Sequence, residues 1–202
     1  MNQKERMLAG LPYKAWLDGL SEERIQNKLK IYDYNLLRPD EDKKMSQMIK
    51  DILGKTGDSI FIEQPFHCDY GKNIEVGNNF YANYNCTILD VGKVIIGENV
   101  MFAPNVAIYT AGHPIHPQSR NSDYEYGLAV TIGNNVWIGG SVVINPDIKI
   151  GNNVVIGSGS VVTKNIPDNV VAVGNPCKVI RKITDDDRKY YFKDREFDVQ
   201  DY

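Results

Sequence analysis

Two of the three histidines of this chain, His113 and His116, fall in one stretch, TAGHPIHPQSRNSDYEYGLAV. An imidazole titrates near neutrality and is suited to take a proton from a hydroxyl nucleophile. His113 stands between Gly112 and Pro114, where the backbone is restrained; the competing reading is a surface or structural histidine. His116, followed by Pro117, shares the loop, which can hold only so many groups in one orientation. Asn83 and Asn85 flank Tyr84 in the string FYANYN. Asn83 reads either as a turn residue or as a carboxamide donor to a developing oxyanion, and Asn85 reads as a turn residue. Asp69 and Asp90 interrupt apolar stretches, either to bind sugar hydroxyls or to make turns. Trp137 offers an indole for stacking or for packing on a neighbouring subunit. Lys164, Lys178 and Arg181 form a cationic group that suits phosphate or an ordinary solvated face.

These residues hang on a repeat of six. Ile132, Ile138, Ile144, Ile150, Ile156 and Val162 return at every sixth position, and Val136, Val142, Ile148, Val154, Ser160 and Ile166 follow four residues behind. That period fits neither a helix at 3.6 nor a simple strand at 2.0. It marks a solenoid of hexapeptide repeats, with glycines 133, 139, 151 and 157 expected to take positive φ at its corners. The string GNNV recurs at 133 and at 151, so three hexapeptides make one coil and roughly five coils fill the middle of the chain. Val76, Ala82 and Ile88 hold the same register, which slips by two and resumes at Ile96, Phe102 and Ile108. It then stops until Ile132, so 109–129 is expected to be an external loop, ordered by Tyr124 and Tyr126 and functional. Cys86, in the second interior row after Phe80, is expected to be a small buried apolar residue.

Before the repeat, residues 1–55 read as helical. Ser21 is the expected N-cap of a helix carrying Ile25, Leu29 and Tyr32, and Pro39 ends it. A second helix begins near Asp40 and bears Met45, Met48, Ile49 and Ile52 until Gly54. Both are expected to cover the open end of the solenoid. After the repeat, Thr184 starts a short C-terminal helix bearing Tyr190, Tyr191 and Phe192.

The chain has 202 residues and a net charge of −3. One domain core is the default at that length, and no basic surface for nucleic acid or anionic lipid is expected. No apolar run reaches the ~20 residues of a membrane span and none resembles a signal peptide, which predicts a cytoplasmic protein. Cys68, Cys86 and Cys177 lack metal-ligand spacing, and disulfides are not expected.

The strings NNFYAN at 78–83, GHPI at 112–115, IGNNVWIG at 132–139 and GNP at 174–176 resemble the maltose and galactoside O-acetyltransferases of the hexapeptide acyltransferase family. The likeness runs from Met7 almost to the C-terminus. It implies an all-β solenoid, a left-handed parallel β-helix assembled as a homotrimer with active sites between subunits. The implied reaction moves an acetyl group from acetyl-CoA to a hydroxyl of a maltose- or glucose-like sugar, without a metal. His113 matches the family's catalytic base and Asn83 its asparagine near the reacting carbonyl. Asp69 falls at an acceptor position, with Asp90 beside it as a second candidate. Gly140, Ser158, Thr163, Lys164, Lys178 and Arg181 fall at coenzyme contacts, and Trp137 joins them as a stacking surface. Ala15 and Val91 stand where galactoside enzymes have acidic residues, and the strings CDYG at 68–71 and LDV at 89–91 look closer to the maltose branch. The division this implies is a helical cap at 1–57 on the acceptor side, a coenzyme-binding β-helix at 58–183 and a helix and tail at 184–202. Alternatives are an acetyltransferase for antibiotics or serine, and a zinc enzyme like the γ-class carbonic anhydrases, which needs three converging histidines. A purely structural solenoid would lack the interrupting loop.

Overall fold

The computed structural model describes residues 1–201; Tyr202, the end of the expected tail, lies outside them. Residues 55–173 wind as a parallel β-solenoid, the left-handed β-helix of hexapeptide repeats, with five complete coils and the start of a sixth. Each coil places one short strand on each of three faces. The first face stacks Lys55–Thr56, Ile74–Val76, Val94–Ile96, Val130–Ile132 and Lys149–Ile150. The second stacks Ile60–Ile62, Phe80–Ala82, Met101–Phe102, Val136–Ile138, Val154–Ile156 and Val170–Val173. The third stacks Phe66–Cys68, Cys86–Leu89, Ala107–Tyr109, Val143–Ile144 and Val161–Val162.

Both hexad rows point inward, and one continuous apolar core fills the prism. Phe80 meets Phe102 edge to face with ring centroids 5.2 Å apart, and Cys86 is fully buried, in the role its row position predicts. At the corner between the first and second faces positive φ belongs to asparagines rather than to the repeat glycines. Asn79, Asn99, Asn135, Asn153 and Asn169 all take it, and each side chain but the last donates to the next across neighbouring coils at 2.8–3.1 Å. The glycines answer a different need. A Cβ on Gly133 would lie 2.8 Å from the carbonyl of Gly151, and one on Gly139 would lie 2.6 Å from the amide of Ser158. Stacked coils bring backbone against backbone at those points, and only hydrogen fits.

Departures from the repeat share one edge. Inward residues of the first and second faces, Val76 and Ala82, lead to Ile88 at the regular spacing of six. Between the third face and the next first face the chain carries two extra residues in the early coils. Register offsets there are 20 residues, as in Phe66 to Cys86, whereas the later coils run at 18, as in Val143 to Val161. The loop after Tyr109 leaves from the same edge, which explains the register gap from Ile108 to Ile132.

Three helices precede the coils: α1 (Gln3–Leu8), α2 (Leu20–Asn35) and α3 (Asp42–Ile52). Asn2 and Glu5 form a capping box on α1. Ser21 is not the N-cap of α2; it lies inside the first turn, and Gly19, with φ of 81°, occupies the cap. The face of α2 also differs from expectation. Ile25, Leu29 and Tyr32 are exposed, while Leu20, Asn27, Ile31 and Tyr34 are buried. Polar anchors decide this orientation: Tyr34 donates to the Ile62 carbonyl, and the Asn35 carboxamide pairs with both backbone groups of Phe66 at 2.9 Å. Helix α3 buries Met45, Ile49 and Ile52 against the first coils.

After Val173 the chain turns back as Lys178–Lys182, antiparallel on the second face. Thr184 and Asp187 cap a single 3-10 turn, Asp185–Arg188. Tyr190, Tyr191 and Phe192 are not on that helix; they form a strand paired with Arg195–Glu196 and are exposed. Among the described residues, no helix is long and apolar enough to cross a membrane.

Candidate active site

The irregular edge gathers ionisable groups. The loop expected at 109–129 folds back as a two-stranded ladder, Ala111–Gly112 against Tyr126–Gly127. A Cβ on Gly112 would meet the Tyr126 ring at 2.5 Å, so a side chain there would have to displace that ring. The segment before α2 locks onto this ladder, because Tyr13 and Glu125 exchange backbone hydrogen bonds at 2.9 and 3.0 Å. The Tyr13 hydroxyl also donates to Glu125 Oε1. Burial and the neighbouring Glu125 carboxylate push the Tyr13 phenol far above its ordinary range, so it stays a donor. Glu125 Oε2 lies 3.9 Å from His113 Nε2, with the imidazole 56% exposed and the carboxylate only 17%. His113 therefore faces solvent with an oriented carboxylate behind it. His116 plays a structural part, since its Nδ1 accepts from the Gln118 amide at 3.3 Å and caps the short helix Pro117–Arg120.

Asp69 lies on the same edge one coil earlier than Asp90. Burial raises the Asp69 carboxyl, and Arg24 and Lys28 of α2 partly offset that rise. Asp90 is fully buried, with Oδ1 accepting from the amides of Asp69 and Tyr70 at 2.9 Å each. Desolvation pushes its carboxyl up to about 7 against the pull of those two amides. Ala15 and Val91 are buried together with Met7, Tyr13, Leu20 and Tyr70 in a small second core beneath this edge.

Structure thus brings together His113, Asp69 and Asp90, and adds Glu125 and Tyr13, which sequence reasoning missed. Neither lies in a periodic segment, and their contact spans 112 positions of the chain. The other candidates lie elsewhere. Asn83 is half-buried on the edge between second and third faces, its Oδ1 accepting from the Tyr84 amide at 2.8 Å. Asn85 takes φ of 61° at that corner, which fits its reading as a turn residue. Gly140 and Ser158 lie on the same edge, where the Gly140 amide donates to Ser158 Oγ at 3.1 Å. Trp137, 52% exposed, stands on the outer second face between Met101 and Val155. Thr163 and Lys164 are exposed on the edge that carries His113, in a later coil. Lys178 and Arg181 are on the antiparallel strand, and Arg181 makes a bidentate pair with Asp187 at 2.7 and 2.8 Å. Among the described residues, no three His, Cys, Asp or Glu side chains converge as a metal site.

Two family models match the chain. Residues 6–57 match the maltose acetyltransferase hexapeptide capping motif, and residues 129–164 match the bacterial transferase hexapeptide repeat. A galactoside O-acetyltransferase of Escherichia coli (strain K12) is 48% identical over 194 residues, covering 96% of each chain. A crystal structure of a maltose O-acetyltransferase from Clostridium difficile 630 superposes with a TM-score of 0.90 at 55% identity, covering 92% of this chain and 99% of that one. A galactoside acetyltransferase in complex with coenzyme A superposes with a TM-score of 0.95 at 47% identity, covering 98% and 100%. Likeness over nearly the whole length, through both the helical cap and the coils, shows that the chain belongs to the galactoside and maltose O-acetyltransferase family of hexapeptide-repeat enzymes.

Proposed function

We propose that this protein transfers the acetyl group of acetyl-CoA to a hydroxyl of a maltose- or glucose-like sugar, with His113 as general base in a homotrimer. The observation that carries this reading is the His113 imidazole, exposed at the mouth of an edge that also presents Asp69 and backed by Glu125. In the proposed step the imidazole removes the acceptor O–H proton while that oxygen attacks the thioester carbonyl. Glu125 stabilises the imidazolium formed. Collapse of the tetrahedral intermediate expels the coenzyme thiolate, which recovers the proton from His113.

The negative oxygen of that intermediate requires a donor, and Asn83 is the proposed one. Within one chain Asn83 and the His113 edge are separated by the strand Cys86–Leu89, a span of about 13 Å at ~3.3 Å per residue. A second copy of the chain offers a way to bring the two edges together. Met101 and Trp137 form an exposed apolar ridge on the second face, in keeping with such packing. Gly140, Ser158, Thr163 and Trp137 are the proposed contacts for the coenzyme chain, with Lys164, Lys178 and Arg181 near its phosphates. Arg181 would then share its guanidinium with Asp187. In this reading the cap at 1–57 closes the acceptor side, 58–183 holds the coenzyme and 184–202 is accessory.

An acceptor screen with acetyl-CoA, following free-thiol release, tests the proposal. Maltose and glucose should release thiol faster than serine or an aminoglycoside-type antibiotic. Preference for either of the latter, or no sugar-dependent release, would overturn it.

A further inference from the structure

We infer that Asp90 is a positioning residue of the acceptor site: one oxygen of its buried carboxyl group fixes the turn that presents Asp69. This rests on the reading of Asp69 as an acceptor contact. Asp90 itself is fully buried, which leaves no surface through which it could touch a sugar.

Its bonds instead tie two successive corners together. Oδ1 accepts from the amides of Asp69 and Tyr70 at 2.9 Å each, and the Asp90 carbonyl accepts from Asn73 Nδ2 at 2.7 Å. Those two amides lie just past the strand Phe66–Cys68, in the widened corner where the ladder no longer supplies acceptors. Buried amides need partners, so Oδ1 of the Asp90 carboxyl group takes the place of the missing ladder carbonyls. The held turn then directs its residues to opposite sides. Tyr70 packs into the small core with Tyr13 and Val91, while Asp69 faces the fields of Arg24, Lys28 and Glu125. Oδ2 of Asp90 and the hydroxyl of Tyr70 are buried and have no hydrogen-bond partner among the described residues. A second oxygen without a donor disfavours a full negative charge there, in keeping with the carboxyl being pushed up to about 7 by burial. One carbonyl-type oxygen, rather than the charge, is what the turn uses.

Asp90→Leu and Asp90→Asn in the full chain separate these ideas, with maltose and acetyl-CoA as substrates and amide hydrogen exchange read at residues 69 and 70. Asp90→Leu should raise KM for maltose roughly tenfold or more, speed exchange at both amides about tenfold, and leave KM for acetyl-CoA unchanged. Asp90→Asn keeps one acceptor oxygen and should restore both readouts to within about threefold of wild type. Unaltered exchange in Asp90→Leu would overturn the inference, as would equal damage from the two substitutions or parallel changes in both KM values. If Asp90→Leu does not fold, Asn73→Ala loosens the same clamp from the main-chain side; a smaller rise in the maltose KM supports the inference and no rise overturns it. Should the wild-type protein acetylate no sugar, the functional reading fails, while the exchange measurement still decides whether Asp90 holds the turn.

Discussion

The coils from Val130 to Val162 and those from Lys55 to Tyr109 are built on the same three faces, yet they carry different loads. In the later set each coil takes 18 residues and every corner repeats. In the earlier set each takes 20, and the surplus always lies on the edge between third and first faces. Asp69, Asp90 and the loop bearing His113 and Glu125 all occupy that edge. A solenoid buries its core through inward residues whose spacing is fixed, so extra chain can be accommodated only where a corner bulges outward. Regular coils supply one continuous core, and the irregular edge gathers the ionisable groups around His113.

Breaking the irregular edge should cost turnover and leave folding intact. His113→Ala should lower kcat by roughly 10²–10⁴, the usual worth of a positioned general base, with an unshifted melting temperature. Near wild-type turnover under saturating substrates would remove His113 from the mechanism.

Asn83 sharpens the comparison because it lies on a different edge. Asn83→Ala should lower kcat by roughly 10²–10³. If the proposed trimer forms, coexpression of Asn83→Ala and His113→Ala chains should then recover about a quarter of wild-type activity, since each mixed trimer would contain one interface with both side chains intact. No recovery would mean that the two residues do not meet across subunits.

A change in the regular coils should do the reverse. Ile144 is fully buried in the third face, and Ile144→Ala should cost about 2–5 kcal/mol of stability in denaturant titration while kcat below the transition stays close to wild type. A large fall in kcat with little loss of stability would show that the regular core, and not only the edges, takes part in turnover.

The smallest effect expected is on pH dependence. Burial raises the Asp90 carboxyl to about 7, so between the ordinary carboxylate range and that value the folded state holds a proton that the unfolded state has released. Stability should therefore fall as pH rises through this window and level off above it. Asp69, also raised by burial, contributes in the same direction. Asp90→Asn should flatten the fall in melting temperature; an unchanged slope would assign it to other groups.

The period of six, the inward rows, the buried Cys86 and the existence of the loop at 109–129 were legible in the sequence because each depends on spacing along the chain. So was His113, conspicuous as a histidine in the one long break of the repeat. The face of α2 was not legible. Ile25, Leu29 and Tyr32 have helical spacing, but Tyr34 and Asn35 find backbone partners on the first coils and turn the helix the other way. The repeat glycines were recognisable as corner residues, but only the stacked coils show that they relieve contact between backbones rather than supply positive φ. Glu125 and Tyr13 carry no local signal, since their pairing joins the N-terminal segment to a loop more than a hundred residues away. Asp90 read as an acceptor candidate because an aspartate among apolar residues suggests a site; its neighbours across a coil make it a clamp. The sequence alone determined the solenoid, because its core recurs locally at a fixed interval. Tertiary structure alone decided which polar groups face solvent and which face one another, because coil stacking and the docked N-terminal segment bring distant residues into contact.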